Sequence, residues 1–171
     1  MSATEELIAA NAGYASRFTK GELPLPPARK VAIVTCMDAR ILPSRALGIE
    51  EGDAHIIRNA GGLAKEALRS LVISQQLLGT REIVVIHHTG CGMLTFTNEQ
   101  LHSKVRKELG ADASEIDFLP FPDLEQSVVD DVLFLRESPL LIEGVPVRGF
   151  VYDVQTGRVT EVKVPSAATV A

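Results

Sequence analysis

Three reactive side chains alternate over five residues: Cys36, Asp38 and Arg40, in the run Thr35-Cys36-Met37-Asp38-Ala39-Arg40. If the backbone stays extended, alternate residues share a face, and a thiol, a carboxylate and a guanidinium point the same way. Further along stands His87-His88-Thr89-Gly90-Cys91-Gly92, with His88-x-x-Cys91 inside it. Cys36, His88 and Cys91 together make a two-thiolate, one-imidazole ligand set suited to Zn2+. Three protein ligands leave a fourth position open for water or substrate, the pattern of catalytic zinc sites. A structural site would close with another cysteine or histidine. The chain has no third cysteine, and His87, next to His88 on a strand, points to the opposite face.

Two thiolates cancel the charge of the ion, so it acidifies a bound water less than a three-histidine site does. A nearby acceptor that orients this water then helps, and Asp38 stands two residues from a ligand. Arg40 is spaced to hold Asp38 in a bidentate pair and keep it ionised. Each motif also has a plainer reading. Asp38 and Arg40 alone could be a surface ion pair after a strand. Two cysteines could be buried thiols packing as small hydrophobes, or the centre of a metal-free redox or transferase protein.

The elements that must position these groups follow from the apolar pattern. Val31-Ala32-Ile33-Val34 and Ile83-Val84-Val85-Ile86 are short apolar runs without alternation, as in strands buried on both faces of a parallel sheet. Each ends in one of the two motifs, so the reactive groups collect at the carboxyl ends of strands, where open α/β sheets bind ligands. A further strand is predicted at Ala54–Arg58. Helices are predicted over 63–78, ending at Gly79, from the Thr97/Gln100 capping box through Leu109, and over 123–136. A short helical turn follows Pro43, and strands at 147–153 and 158–164 close the chain as a hairpin. Strands alternating with helices imply an α/β fold with a mostly parallel central sheet flanked by helices. The chain reads as one domain: an N-terminal helix over 3–18, a proline-rich linker over 20–29, an α/β core over 30–164 and a loose tail over 165–171. The N-terminal helix is amphipathic and must lie on its own domain or on a partner.

The composition excludes several functions. A net charge of −5 argues against nucleic-acid binding, which wants a basic face. No apolar run is long enough to span a bilayer. The first residues carry acids and no apolar signal core, so a cytoplasmic location is expected.

Taken in order, Cys36-x-Asp38-x-Arg40, Arg58-Asn59-Ala60-Gly61 and His88-x-x-Cys91-Gly92 resemble the β-carbonic anhydrases over residues 30 to 95. The resemblance implies a zinc enzyme, generally dimeric, with Cys36, His88 and Cys91 as ligands and Asp38–Arg40 as a catalytic dyad. It implies attack of zinc-bound hydroxide on CO2, one zinc per chain, and a homodimer or higher even oligomer. The chain is similar to a compact subgroup with CMDAR and HHTGCGM in place of plant-type CSDSR and GHSxCG. By counting from the motifs, Pro27 replaces a substrate-binding glutamine, His55 a pocket phenylalanine and Ile73 a pocket tyrosine. Ala60 and Gly61 join these as substrate-pocket candidates.

That subgroup also contains hydrolases of carbonyl sulfide and carbon disulfide. CO2 hydration and carbonyl sulfide hydrolysis therefore stand level as readings, with carbon disulfide hydrolysis or a non-catalytic zinc-binding dimeric module as alternatives. Of the remaining residues, His87 is expected to pack behind the site and His102 to be solvated. His55 either lines the pocket or is a half-buried strand-end histidine. Arg58 and Asn59 are expected to brace the Gly61-Gly62 loop. Met93, Leu94 and Phe96 read as core packing or, with the N-terminal helix, as dimer interface.

Overall fold

A computed structural model describes residues 2–165. The predicted loose tail, apart from Pro165, lies outside them. The elements run α1 (Ala3–Ala15), β1 (Val31–Cys36), α2 (Pro43–Leu47), β2 (Ala54–Asn59), α3 (Ala64–Gln76), β3 (Glu82–His88), α4 (Asn98–Leu109), α5 (Leu124–Glu137), β4 (Val147–Tyr152) and β5 (Val159–Glu161). One five-stranded sheet has the order β2-β1-β3-β4-β5. Its first four strands are mutually parallel and β5 is antiparallel to β4. After β1 the chain steps outward to β2, then crosses back by α3 to place β3 on the other side of β1. The connections therefore diverge between β1 and β3, and the carboxyl ends of these two strands flank the crevice in which such sheets bind ligands.

The local reasons for these elements are readable. Ser2 and Glu5 form a capping box on α1, Thr97 and Gln100 another on α4, and Asp123 caps α5. Gly48 and Gly110 end α2 and α4 in left-handed geometry, where a side chain would be strained. One sheet face is packed by α3 and α5: Ala32, Val34, Ile83, Val85 and Val147 meet Ala64, Ala67, Leu71, Val128, Val132 and Leu135, all buried. Gly149 of β4 allows α5 this close, since a Cβ there would stand 2.4 Å from Val128 Cγ1.

The other face is covered less completely than the apolar runs predict. Ile33, Ile49 and Ile86 are buried there, but Val31, Val84 and Phe150 remain half-buried. The N-terminal helix stops at Ala15 and none of its residues is buried. Its ties to the core are polar: Tyr14 donates to Glu51 Oε1 at 2.8 Å, and Lys20 pairs with Glu50 and Glu51. Within one chain, then, α1 does not cover the sheet. Met93 is a core residue beneath the cysteines, together with Phe121 and Leu63. His102 is half-buried rather than fully solvated: its Nε2 lies 2.8 Å from the Ile116 carbonyl of the 111–122 loop and its ring tilts against Phe118. Among the described residues no helix is long and apolar enough to cross a membrane.

Candidate metal centre

Cys36 is the last residue of β1 and His88 the last of β3. Thr35 pairs with Ile86, so Cys36 and His88 end their adjacent strands within one residue of the same level. Cys91 follows in the turn after β3. All three are buried, and one ligand atom from each lies within 4.8 Å of the others. His88 Nδ1 lies 3.0 Å from the Thr89 carbonyl. An acceptor there puts the proton on Nδ1 and leaves the Nε2 lone pair free. That Nε2 is buried without a hydrogen-bond partner. A bare imidazole nitrogen beside two thiols, enclosed and converging, is a donor set fitted to a soft-to-borderline divalent cation such as zinc.

The electrostatics agree. The Cys36 thiol is held well below its ordinary pKa, first by hydrogen bonding from Cys91, against burial, and further by His88 and the N–H groups of Asp38 and Gly61. Cys91 is pushed up, first by Cys36 and then by burial. The opposed shifts describe two thiols that share one proton when no cation is present to make both thiolates. For His88, burial disfavours a charge, but the Cys36 thiolate and the Thr89 carbonyl outweigh it and its pKa is raised.

Asp38 lies beside this cluster, its Oδ2 3.8 Å from His88 Nε2. Arg40 donates to it in a fork, Nε to Oδ1 at 2.9 Å and Nη2 to Oδ2 at 2.7 Å, and the Arg40 backbone N–H adds a third bond at 2.9 Å. These bonds hold the Asp38 carboxyl far below the usual carboxylate range, so it stays ionised. Arg40 Nη2 also donates to the Gly90 carbonyl at 2.9 Å, joining the first motif to the turn of the last. The pair is thus built into the wall of the metal cluster rather than standing free on the surface.

The middle motif supplies support that sequence reasoning placed only in part. Asn59 does brace its own loop: Nδ2 donates to the Leu63 carbonyl and Oδ1 accepts from the Leu63 N–H. Arg58 reaches across instead to the first motif, where Nε donates to the Cys36 carbonyl at 2.9 Å and Nη2 to the Asp38 carbonyl at 2.7 Å. The available signal was pairing: Arg58 lies opposite Thr35, one residue from the ligand. His87 faces away, buried, with Nδ1 2.7 Å from Ser127 Oγ and Nε2 3.1 Å from Asp131 Oδ2, and its ring stacks on Phe121.

Of the predicted pocket residues, Ala60 and Gly61 belong to this centre, Ala60 packing on the apolar cluster around the cysteines and Gly61 donating to Cys36. The other three stand elsewhere in the chain. His55 pairs with Ala32, four residues back from Cys36 and hence about 13 Å away along the strand. Its Nδ1 lies 2.7 Å from Ser74 Oγ, next to Ile73. Pro27 is buried where Ala28 bonds to Gly52 just before β2.

Fold and site together define a β-carbonic-anhydrase-type metal centre, and the chain belongs to the β-carbonic anhydrase family. The carbonic anhydrase family profile matches residues 31–118, just over half of the chain. Among curated relatives, β-carbonic anhydrase 1 of Mycobacterium tuberculosis is 46% identical over 165 residues, covering 95% of this chain and 99% of that protein. The crystal structure of a carbonic anhydrase from Streptococcus mutans superposes with a TM-score of 0.91 at 51% identity, over 95% of this chain and 99% of the other. A carbon disulfide hydrolase of Acidianus sp. is more distant, 38% identical over 85% of this chain and 81% of that protein.

Proposed function

We propose that this protein is a zinc-dependent carbonic anhydrase catalysing reversible hydration of CO2 to bicarbonate. The observation that carries the proposal is the buried Cys36–His88–Cys91 triad beside an Asp38 that Arg40 already holds in place. Cys36, His88 and Cys91 would hold the ion, which when bound would supply a water acidic enough to lose its proton near neutral pH. Asp38 is ionised and acceptor-only, so it would accept a hydrogen bond from such a water and orient it toward the substrate. Arg40 fixes the carboxylate by its fork, and Arg58 fixes the backbone on which both Cys36 and Asp38 sit. Burial of the donor set keeps competing water out of the ligand positions. A non-catalytic zinc module would have no use for a carboxylate prealigned in this way.

Carbon disulfide and carbonyl sulfide hydrolysis form the second reading, favoured by the Acidianus relative. CO2 ranks ahead because the Mycobacterium tuberculosis and Streptococcus mutans carbonic anhydrases are more similar to this chain than the Acidianus protein and match nearly end to end. Pro27, His55 and Ile73 cluster at the amino-terminal side of β2. As pocket residues they serve the site of a second copy in a homodimer, which brings that edge over its neighbour's strand ends.

The test compares kcat/KM for CO2 hydration with that for H2S release from carbonyl sulfide and carbon disulfide on one zinc-loaded preparation, alongside Asp38→Asn. CO2 hydration dominates, and the variant keeps its zinc while losing about 100-fold in kcat/KM. Dominant H2S release overturns the substrate, and full activity of Asp38→Asn overturns the dyad.

A further inference from the structure

The first histidine of the His87-His88 motif stands outside the Cys36–His88–Cys91 cluster, yet its ring is fully buried and held at both nitrogens and one face. Ser127 Oγ gives its own proton to the Leu124 carbonyl at 2.7 Å. Its lone pair therefore accepts from His87 Nδ1–H, also at 2.7 Å. On the other side Nε2 meets Asp131 Oδ2 at 3.1 Å with a proton between them, and the ring stacks on Phe121 with centroids 5.4 Å apart.

Asp131 is buried as well, and the same Oδ2 accepts from the Ala64 N–H at 2.9 Å. Ala64 opens α3, whose N-cap Leu63 has no side-chain oxygen to offer. A carboxylate from α5 thus supplies the cap that α3 lacks, and the amino end of the helix favours its charge. One oxygen thereby ties α5 to two places beside the metal centre. His87 immediately precedes the ligand His88 in β3. Ala64 ends the connection from Ala60, in which the Gly61 N–H donates to Cys36 and Gly62 lies against the backbone of Thr35 and Cys36. Phe121 joins the two, since a Cβ on Gly61 would stand 3.2 Å from its Cε1. Stability alone does not call for this arrangement, because apolar residues of similar volume fill such a space at least as well. What a fully bonded buried network adds is a single geometry.

We propose, on the reading that Cys36, His88 and Cys91 hold zinc, that Asp131 and His87 are positioning residues for that site. Asp131 sets the strand end that carries His88, through His87, and the loop that caps Cys36, through Ala64, and touches neither metal nor substrate. The test compares wild type with three variants. Asp131→Leu keeps the branched bulk and loses both oxygens, Asp131→Asn keeps an oxygen able to accept from both N–H groups, and Val132→Ala truncates the core on the same helix. The readouts are the visible d–d bands of the cobalt-substituted protein, the rate at which zinc passes to a chromophoric chelator, and stability in denaturant. In Asp131→Leu the cobalt bands shift and zinc leaves about tenfold faster. Asp131→Asn returns both to near wild type, and Val132→Ala loses stability without changing either. His87→Phe, which keeps a ring on Phe121 and removes both nitrogens, behaves as Asp131→Leu and decides the question where the leucine variant does not fold. Unshifted bands with wild-type zinc release in Asp131→Leu or His87→Phe, no recovery in Asp131→Asn, or an equal change in Val132→Ala would each overturn the positioning role. Wild-type protein that takes up no cobalt overturns the metal centre itself.

Discussion

At the scale of single residues, the carboxylate of the site and its metal ligands answer pH differently. The Asp38 pKa is depressed by Arg40. Its ionised form therefore stabilises the folded state above the unfolded value near 3.9, and that contribution is lost only as pH falls through the lower folded value. The metal ligands titrate higher. Cys91 holds its proton through the neutral range and His88 is raised, so zinc must displace at least one proton to bind. Zinc affinity is expected to fall about tenfold per pH unit on acidification from neutrality, as measured by competition with a chromophoric chelator. The acid limb of activity should then track zinc content rather than protonation of Asp38. An acid-inactivated sample retaining full zinc would contradict this.

At the scale of elements, three connections converge on one point, and a glycine makes the approach possible. Gly62 has φ +75, and a Cβ there would stand 2.7 Å from Cys36 N and from Thr35 C, both backbone atoms that cannot swing aside. Gly62→Ala is expected to cost at least about 2 kcal/mol in chemical denaturation and to weaken zinc binding, because relief of the clash must move the end of β1. The same substitution at Gly21, with nothing within 4 Å, should be close to neutral. Equal effects at the two sites would show that the approach of the middle loop to β1 is not what holds the cysteine. Arg58 belongs to the same device: it spans from β2 to two carbonyls of the first motif and fixes their spacing without entering the site.

At the scale of the whole molecule, surfaces remain that a single chain leaves open. Leu7 and Ile8 of α1 are 72% and 69% exposed, and one sheet face is half-covered. Apolar area of this kind is what a second copy would bury. Leu7→Lys combined with Ile8→Lys is expected to convert a dimer to a folded monomer in light scattering with circular dichroism. On the proposed homodimer, CO2 hydration should fall about tenfold or more, as the edge carrying His55 and Ile73 would no longer complete the neighbouring site. A native protein that is monomeric and fully active would refute it.

Much of the core was legible before any coordinates. The short apolar runs before Cys36 and before His87-His88 read as buried strands, because they are four residues long and rich in β-branched valine and isoleucine. Alternation then separated His88 from His87. The capping box at Thr97 was a local signal, and it caps α4 as expected. Other features were not local. That Arg58 would reach the Cys36 and Asp38 carbonyls and that the loop after α4 would bond to His102 depend on chain crossings that no spacing encodes. The sequence by itself determined the donor types, their order and the strands that carry them, since side-chain chemistry and backbone periodicity are properties of neighbours along the chain. Only the tertiary structure decided that His55 stands about 13 Å from Cys36 of its own chain, with Ile73 beside it at Ser74, because parallel register, not sequence distance, sets which residues meet.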